Sequence, residues 1–70
     1  MAAGHIYKLI EVVGTSASSY DEAVNNAVQE AGKSVKNMSW FHVTDMRGSI
    51  SPDKKLEYQA TVKIGFRVEH

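Results

Sequence analysis

The strongest regularity in the chain lies near its end, where Leu56, Tyr58, Ala60, Val62, Ile64, Phe66 and Val68 alternate with Glu57, Gln59, Thr61, Lys63, Gly65, Arg67 and Glu69. An unbroken period of two over this length predicts one long strand, with an apolar face against a core and a polar face turned away. A second candidate strand is HIYKLIEVV, His5 to Val13, rich in β-branched and aromatic residues. Its apolar character is spread over both sides, with Tyr7, Leu9, Glu11 and Val13 on one and Ile6, Lys8, Ile10 and Val12 on the other. GTSASS, Gly14 to Ser19, reads as a loop, and Ser19 followed by Glu22 has the form of a capping box, so a helix is predicted to begin there. Ala23, Val24, Ala27, Val28, Ala31 and Val35 recur every three or four positions and give that helix a narrow stripe of small residues. It is expected to end near Lys36 or Asn37. Ser39 to Ile50 reads as another strand, with a weak point at Gly48, and Ser51-Pro52-Asp53-Lys54-Lys55 supplies the turn of a hairpin.

The order β-α-β-β predicts an α+β fold: a three-stranded antiparallel sheet with one helix packed on one face, in a single domain spanning residues 1–70. A helix of about 17 residues covers about 25 Å, whereas a thirteen-residue strand runs about 43 Å. The helix cannot cover the sheet. Surface scaling gives about 100 kcal/mol of apolar burial for a chain of this size, against an ordering cost of about 100 kcal/mol. Small domains escape that balance through disulfides, metals or partner subunits. With no cysteine in the sequence, association of copies is the remedy that remains.

Eight Lys and Arg against eight Asp and Glu leave no net field to draw in nucleic acid or an acidic membrane. Met1 to Gly4 carry no basic segment leading into an apolar run, and no run approaches the ~20 residues of a membrane span. The lack of cysteine suits a reducing compartment, so cytoplasmic is the default expectation. His5, His42 and His70 lack the short spacing that places imidazoles on one metal. No G-x-S-x-G elbow occurs, and Val13-Gly14-Thr15-Ser16 lacks the further glycines and the lysine of a phosphate loop. No catalytic residue and no metal site is expected.

Four residues remain with chemistry to offer. Strand alternation sets Phe41 and Val43 on one face and Trp40, His42, Thr44 and Met46 on the other, so Trp40 is either subunit-interface packing or a stacking platform for a planar ligand. Gln59 falls on the polar face of the last strand, where its amide is either solvated or offers a donor and an acceptor to a heteroaromatic edge. Arg47 and Arg67 either pair with carboxylates such as Glu57 and Asp45 or clamp a phosphate. With the turn centred near Asp53, Gln59 should pair with about Arg47 and Trp40 with about Phe66. Trp40 and Gln59 are then some seven positions apart, about 23 Å along the sheet. A ligand touching both must take them from two chains.

EVVGTS at Glu11 to Ser16, WFHV at Trp40, RG at Arg47-Gly48 and YQATVKIGFR from Tyr58 to Arg67 together resemble the dodecin family, over about Tyr7 to Glu69. The resemblance implies a small flavin-binding protein assembled as a hollow homo-dodecamer. It implies a store or buffer that photoprotects riboflavin, FMN or FAD, and not an enzyme. By position, Trp40 matches the flavin-stacking tryptophan and Gln59 the glutamine that bonds the isoalloxazine ring. Arg47 and Arg67 match basic positions that the resemblance links to the phosphate of FMN or to coenzyme A. His42 departs from the glutamate that many bacterial members carry two residues after the tryptophan. Two readings from other classes stand beside this one: a structural or interaction oligomer without ligand, and a small flavin-dependent oxidoreductase.

Overall fold

A computed structural model of the chain describes residues 4–68; the expectations placed on Met1, Glu69 and His70 lie outside them. The elements are β1 (Tyr7–Ser16), α1 (Tyr20–Ala31), β2 (Met38–Ile50) and β3 (Leu56–Arg67). The sheet order is β1-β3-β2 with both pairs antiparallel, the β-α-β-β arrangement that the periodicities predict. The most regular segment, β3, is the central strand. Its Ala60, Val62 and Ile64 are buried beneath Ala23, Ala27 and Ala31 of the helix, and these six form the core.

β1 starts two residues later than expected, at Tyr7, and runs on through Gly14, Thr15 and Ser16, which composition alone assigns to a loop. The long β3 supplies the reason, because Ala60, Gln59 and Tyr58 stand opposite those three residues and complete their ladder. Gly14 is required by the packing: a Cβ there would lie 1.9 Å from the Ala23 carbonyl oxygen and 2.8 Å from the Ala27 Cβ. At Gly14, strand and helix therefore meet backbone to backbone, with Ala23 and Ala27 of the helix against the glycine.

Ser19, in extended conformation, accepts the Glu22 N–H at 3.1 Å and caps the helix as predicted. The returning arm of the box goes elsewhere. Glu22 accepts a hydrogen bond from Ser16 Oγ at 2.5 Å, and that oxygen accepts the N–H groups of Ser18 and Ser19 at 2.9 and 3.3 Å. Buried Ser16 thus ties the end of β1 to the start of α1. The helix stops at Ala31, short of the expected Lys36 or Asn37. Gly32 favours an end there, and the bonds from Lys33 to Glu30 and from Ser34 to Ala31 tighten into an i−3 pattern. Asn37, at a left-handed φ of 63°, turns the chain into β2.

At 12 residues the helix is about 18 Å long. It lies across β1 and β3 and barely meets β2. The chain measures 60 × 20 × 14 Å and exposes 5262 Å², where a compact monomer of its mass would expose about 4,300 Å².

β2 carries two bulges, at Ser39 and at Thr44, and none at Gly48, which pairs with Tyr58 in register. The second bulge changes which residues share a face. Trp40 and His42 lie opposite Gly65 and Lys63 on the side away from the helix, and past Thr44 that side is continued by Asp45, Arg47 and Ser49. Met46, expected beside Trp40, is switched to the helix side with Phe41 and Val43. The extra Thr44 donates its hydroxyl to the Thr61 carbonyl at 3.4 Å.

Candidate functional site

The face away from the helix carries two groups of side chains. One lies around Trp40, which stands opposite Gly65 with its ring over that glycine: a Cβ on Gly65 would fall 2.3 Å from indole Cε2 and Cζ2. Gly65 is buried under the ring, and Trp40 itself remains 45% exposed. Tyr7, from the far edge strand, braces the indole with ring centroids 5.2 Å apart at 58°. Leu9 is the β1 partner of Gly65 and Arg67 the β3 partner of Tyr7. The Arg67 backbone N–H is held by the Asn37 carbonyl at 3.0 Å. Three strands thus contribute to a broad aromatic and aliphatic platform with one face open.

The other group lies around Gln59, whose partner across the hairpin is Arg47, as the turn geometry predicts. Arg47 Nε donates to Gln59 Oε1 at 2.9 Å, and Gln59 Nε2 donates to a Glu57 carboxylate oxygen at 2.9 Å. The amide is therefore oriented at both ends, and one N–H and one lone pair remain for another molecule. Val13, Thr15, Asp45 and Thr61 surround the pair in a shallow depression. Without the Thr44 bulge, strict alternation from Trp40 would aim Arg47 at the helix side.

Trp40 pairs one residue nearer the turn than expected, with Gly65 in place of Phe66. Trp40 and Gln59 are thus six positions apart along β3, about 20 Å. Arg47, at Gln59, and Arg67 are eight positions apart, about 27 Å. Neither pair converges within one chain, so two arginines of one protomer cannot clamp one phosphate. His42 shares the face of Trp40, opposite Lys63. Among the described residues no group of three His, Asp or Glu side chains could hold a metal ion, and no helix is long and apolar enough to cross a membrane.

Gly65 and Tyr7 escape a reading by periodicity, although one signal was present. A glycine inside an otherwise unbroken strand marks close approach of another group.

One helix on a three-stranded antiparallel sheet, with an open aromatic platform on the bare face, defines a class of small β-α-β-β sheet proteins. The dodecin family model matches residues 6–69, and the chain belongs to the dodecin family. It is 38% identical to the dodecin of Thermus thermophilus over 66 residues, covering 94% of this chain and 96% of that one. The crystal structure of the tt0972 protein from the same organism superposes with a TM-score of 0.89 at 37% identity, over 96% of this chain and 98% of that one. The dodecin structure from Streptomyces coelicolor gives 0.90 at 40% identity and 99% of each chain. A more distant relative, 29% identical over 90% of this chain and 89% of its own, is the calcium dodecin of Mycobacterium tuberculosis.

Proposed function

We propose that this chain is a non-catalytic flavin-binding dodecin that stacks the isoalloxazine ring of riboflavin, FMN or FAD on Trp40 between protomers of a closed homo-oligomer. The observation that carries the reading is the indole laid over Gly65, covering that glycine and itself left 45% exposed. A side chain at position 65 would displace the indole; its absence lets Trp40 lie over the strand and offer its other side to a planar ligand. A bound flavin supplies a planar, electron-poor, photoreactive ring, and the electron-rich indole offers both stacking affinity and a path that empties its excited state.

The remaining residues follow from their places. Gln59, fixed by Arg47 and Glu57, keeps a donor and an acceptor for the ring edge. At 20 Å from Trp40 along its own strand, it serves a flavin held on another protomer's Trp40. The arginines, separated by the length of the sheet, would meet a flavin phosphate or coenzyme A singly or from different chains. A ring covered on both faces by protein leaves no berth for a second substrate, which favours storage and photoprotection over turnover. Calcium, named for one relative, finds no group of three His, Asp or Glu among the described residues of a single protomer.

Titration of riboflavin and FMN with the protein tests the reading. Flavin fluorescence should be quenched on binding, and Trp40→Ala should weaken binding by roughly 1–3 kcal/mol, the scale of base stacking on aromatics. Equal affinity and quenching in the variant would reduce Trp40 to packing.

A further inference from the structure

Tyr7 and Trp40 stand on the two edge strands, with β3 between them. Two strand spacings separate their backbones by about 10 Å, yet their ring centroids are 5.2 Å apart. The rings meet over Gly65, where no side chain keeps the indole off the central strand. Two oxidisable rings are thereby in contact. The other two tyrosines of the chain, Tyr20 and Tyr58, are paired with each other at 5.0 Å. Tyr58 lies seven positions from Gly65 along β3, about 23 Å away. Electron tunnelling falls exponentially with distance, so Tyr7 is the tyrosine placed to exchange an electron with the single tryptophan. Bracing the indole needs a ring but no hydroxyl. What a phenol adds is a proton that leaves when the ring is oxidised, and Tyr7 is 44% exposed, so water can take it.

We propose that Tyr7 is an electron donor to Trp40, the second station of a relay that restores the indole after it has reduced a photoexcited flavin. The proposal rests on the flavin reading above and adds what becomes of Trp40 afterwards. The excited ring takes one electron from the indole and leaves a Trp40 radical cation. Tyr7 then passes one electron to Trp40 and its phenol proton to water, so the indole is whole and the oxidising equivalent sits on Tyr7 as a neutral phenoxyl radical. The electron held by the flavin and a proton from water finally return to Tyr7. Only the phenol O–H bond breaks and re-forms, and nothing is consumed. Moving the oxidising equivalent to the edge strand keeps the stacking ring in its reduced, binding form.

Pulse radiolysis of the flavin-free protein with azide radicals, a one-electron oxidant of indole, tests the relay without the ligand. In the wild-type protein the visible absorption of the tryptophan radical should decay as the tyrosine-radical band rises, at a rate independent of protein concentration. Tyr7→Phe keeps the ring contact and should lose this conversion. Tyr20→Phe with Tyr58→Phe, which leaves Tyr7 as the one tyrosine, should retain it; this chain decides the matter if Tyr7→Phe does not fold. Conversion as fast in Tyr7→Phe as in the wild type, or none in the wild type or in the Tyr20, Tyr58 double variant, overturns the relay. Flavin titration separates it from the reading it rests on. Tyr7→Phe should quench flavin fluorescence as the wild type does, because Trp40 remains the first donor; lost quenching would place Tyr7 itself in the stack and overturn the relay. A wild-type protein that fails to quench flavin overturns the flavin reading instead.

Discussion

Trp40 can serve as a platform only because nothing projects from residue 65. Its indole rests where a Cβ would be, so Gly65→Ala must lift or tilt the ring. The chain has a single tryptophan, and its fluorescence reports on Trp40 alone. We expect Gly65→Ala to shift that emission and to weaken flavin quenching toward the Trp40→Ala level while the oligomer persists; unchanged emission and quenching would show that the ring accommodates the methyl group. A different expectation belongs to Arg47. Since it holds the acceptor end of Gln59, Arg47→Ala should weaken riboflavin as well as FMN, through loss of the fixed amide. If the arginines also meet phosphate, the preference of the wild-type protein for FMN over riboflavin should shrink as salt rises through about 0.1 M. Equal affinities at low salt would confine them to roles inside the protein.

At the scale of elements, the fold depends on one close approach and one irregularity. Gly14→Ala places a methyl group 1.9 Å from the Ala23 carbonyl oxygen, and neither a strand ladder nor a helix backbone can yield by that much locally. Overpacking of this kind costs about 1–3 kcal/mol or more, so a urea melt should move to lower concentration; an unchanged midpoint would mean that helix and strand meet less tightly than described. Both the sheet and the site were readable from the sequence to the extent that they obey a regular period. β3 alternates without a break and was legible throughout, and the turn at Asp53 was enough to pair Arg47 with Gln59. What the sequence concealed breaks a period. The bulge at Thr44 has no compositional mark, yet it sets Met46 on the face opposite Trp40 and Arg47 on the same face as Trp40. Gly14 to Ser16 look like a loop and become strand because β3 is long enough to pair with them. The helix ends early for a local reason, Gly32, which the apolar spacing running on to Val35 obscured.

At the scale of the whole molecule, a core of six small or aliphatic residues supports a sheet more than twice the length of its helix. Apolar side chains stay exposed on both faces: Leu9, Val13 and Trp40 away from the helix, Phe41, Met46 and Ile50 beside it. Association covers such surfaces and is linked to stability by mass action, so native mass spectrometry at micromolar concentration should show a closed high-order oligomer, and melting should depend on protein concentration. The central claim is that a flavin is held by Trp40 of one protomer and Gln59 of another, because about 20 Å of β3 separates the two within a chain. It is tested most directly by co-refolding Trp40→Ala chains with Gln59→Ala chains and titrating flavin fluorescence against each variant refolded alone. Sites built across chains predict that the mixture regains a fraction of full-strength binding and quenching, since some pockets then receive both wild-type side chains; no recovery in mixed oligomers verified by mass would contradict it.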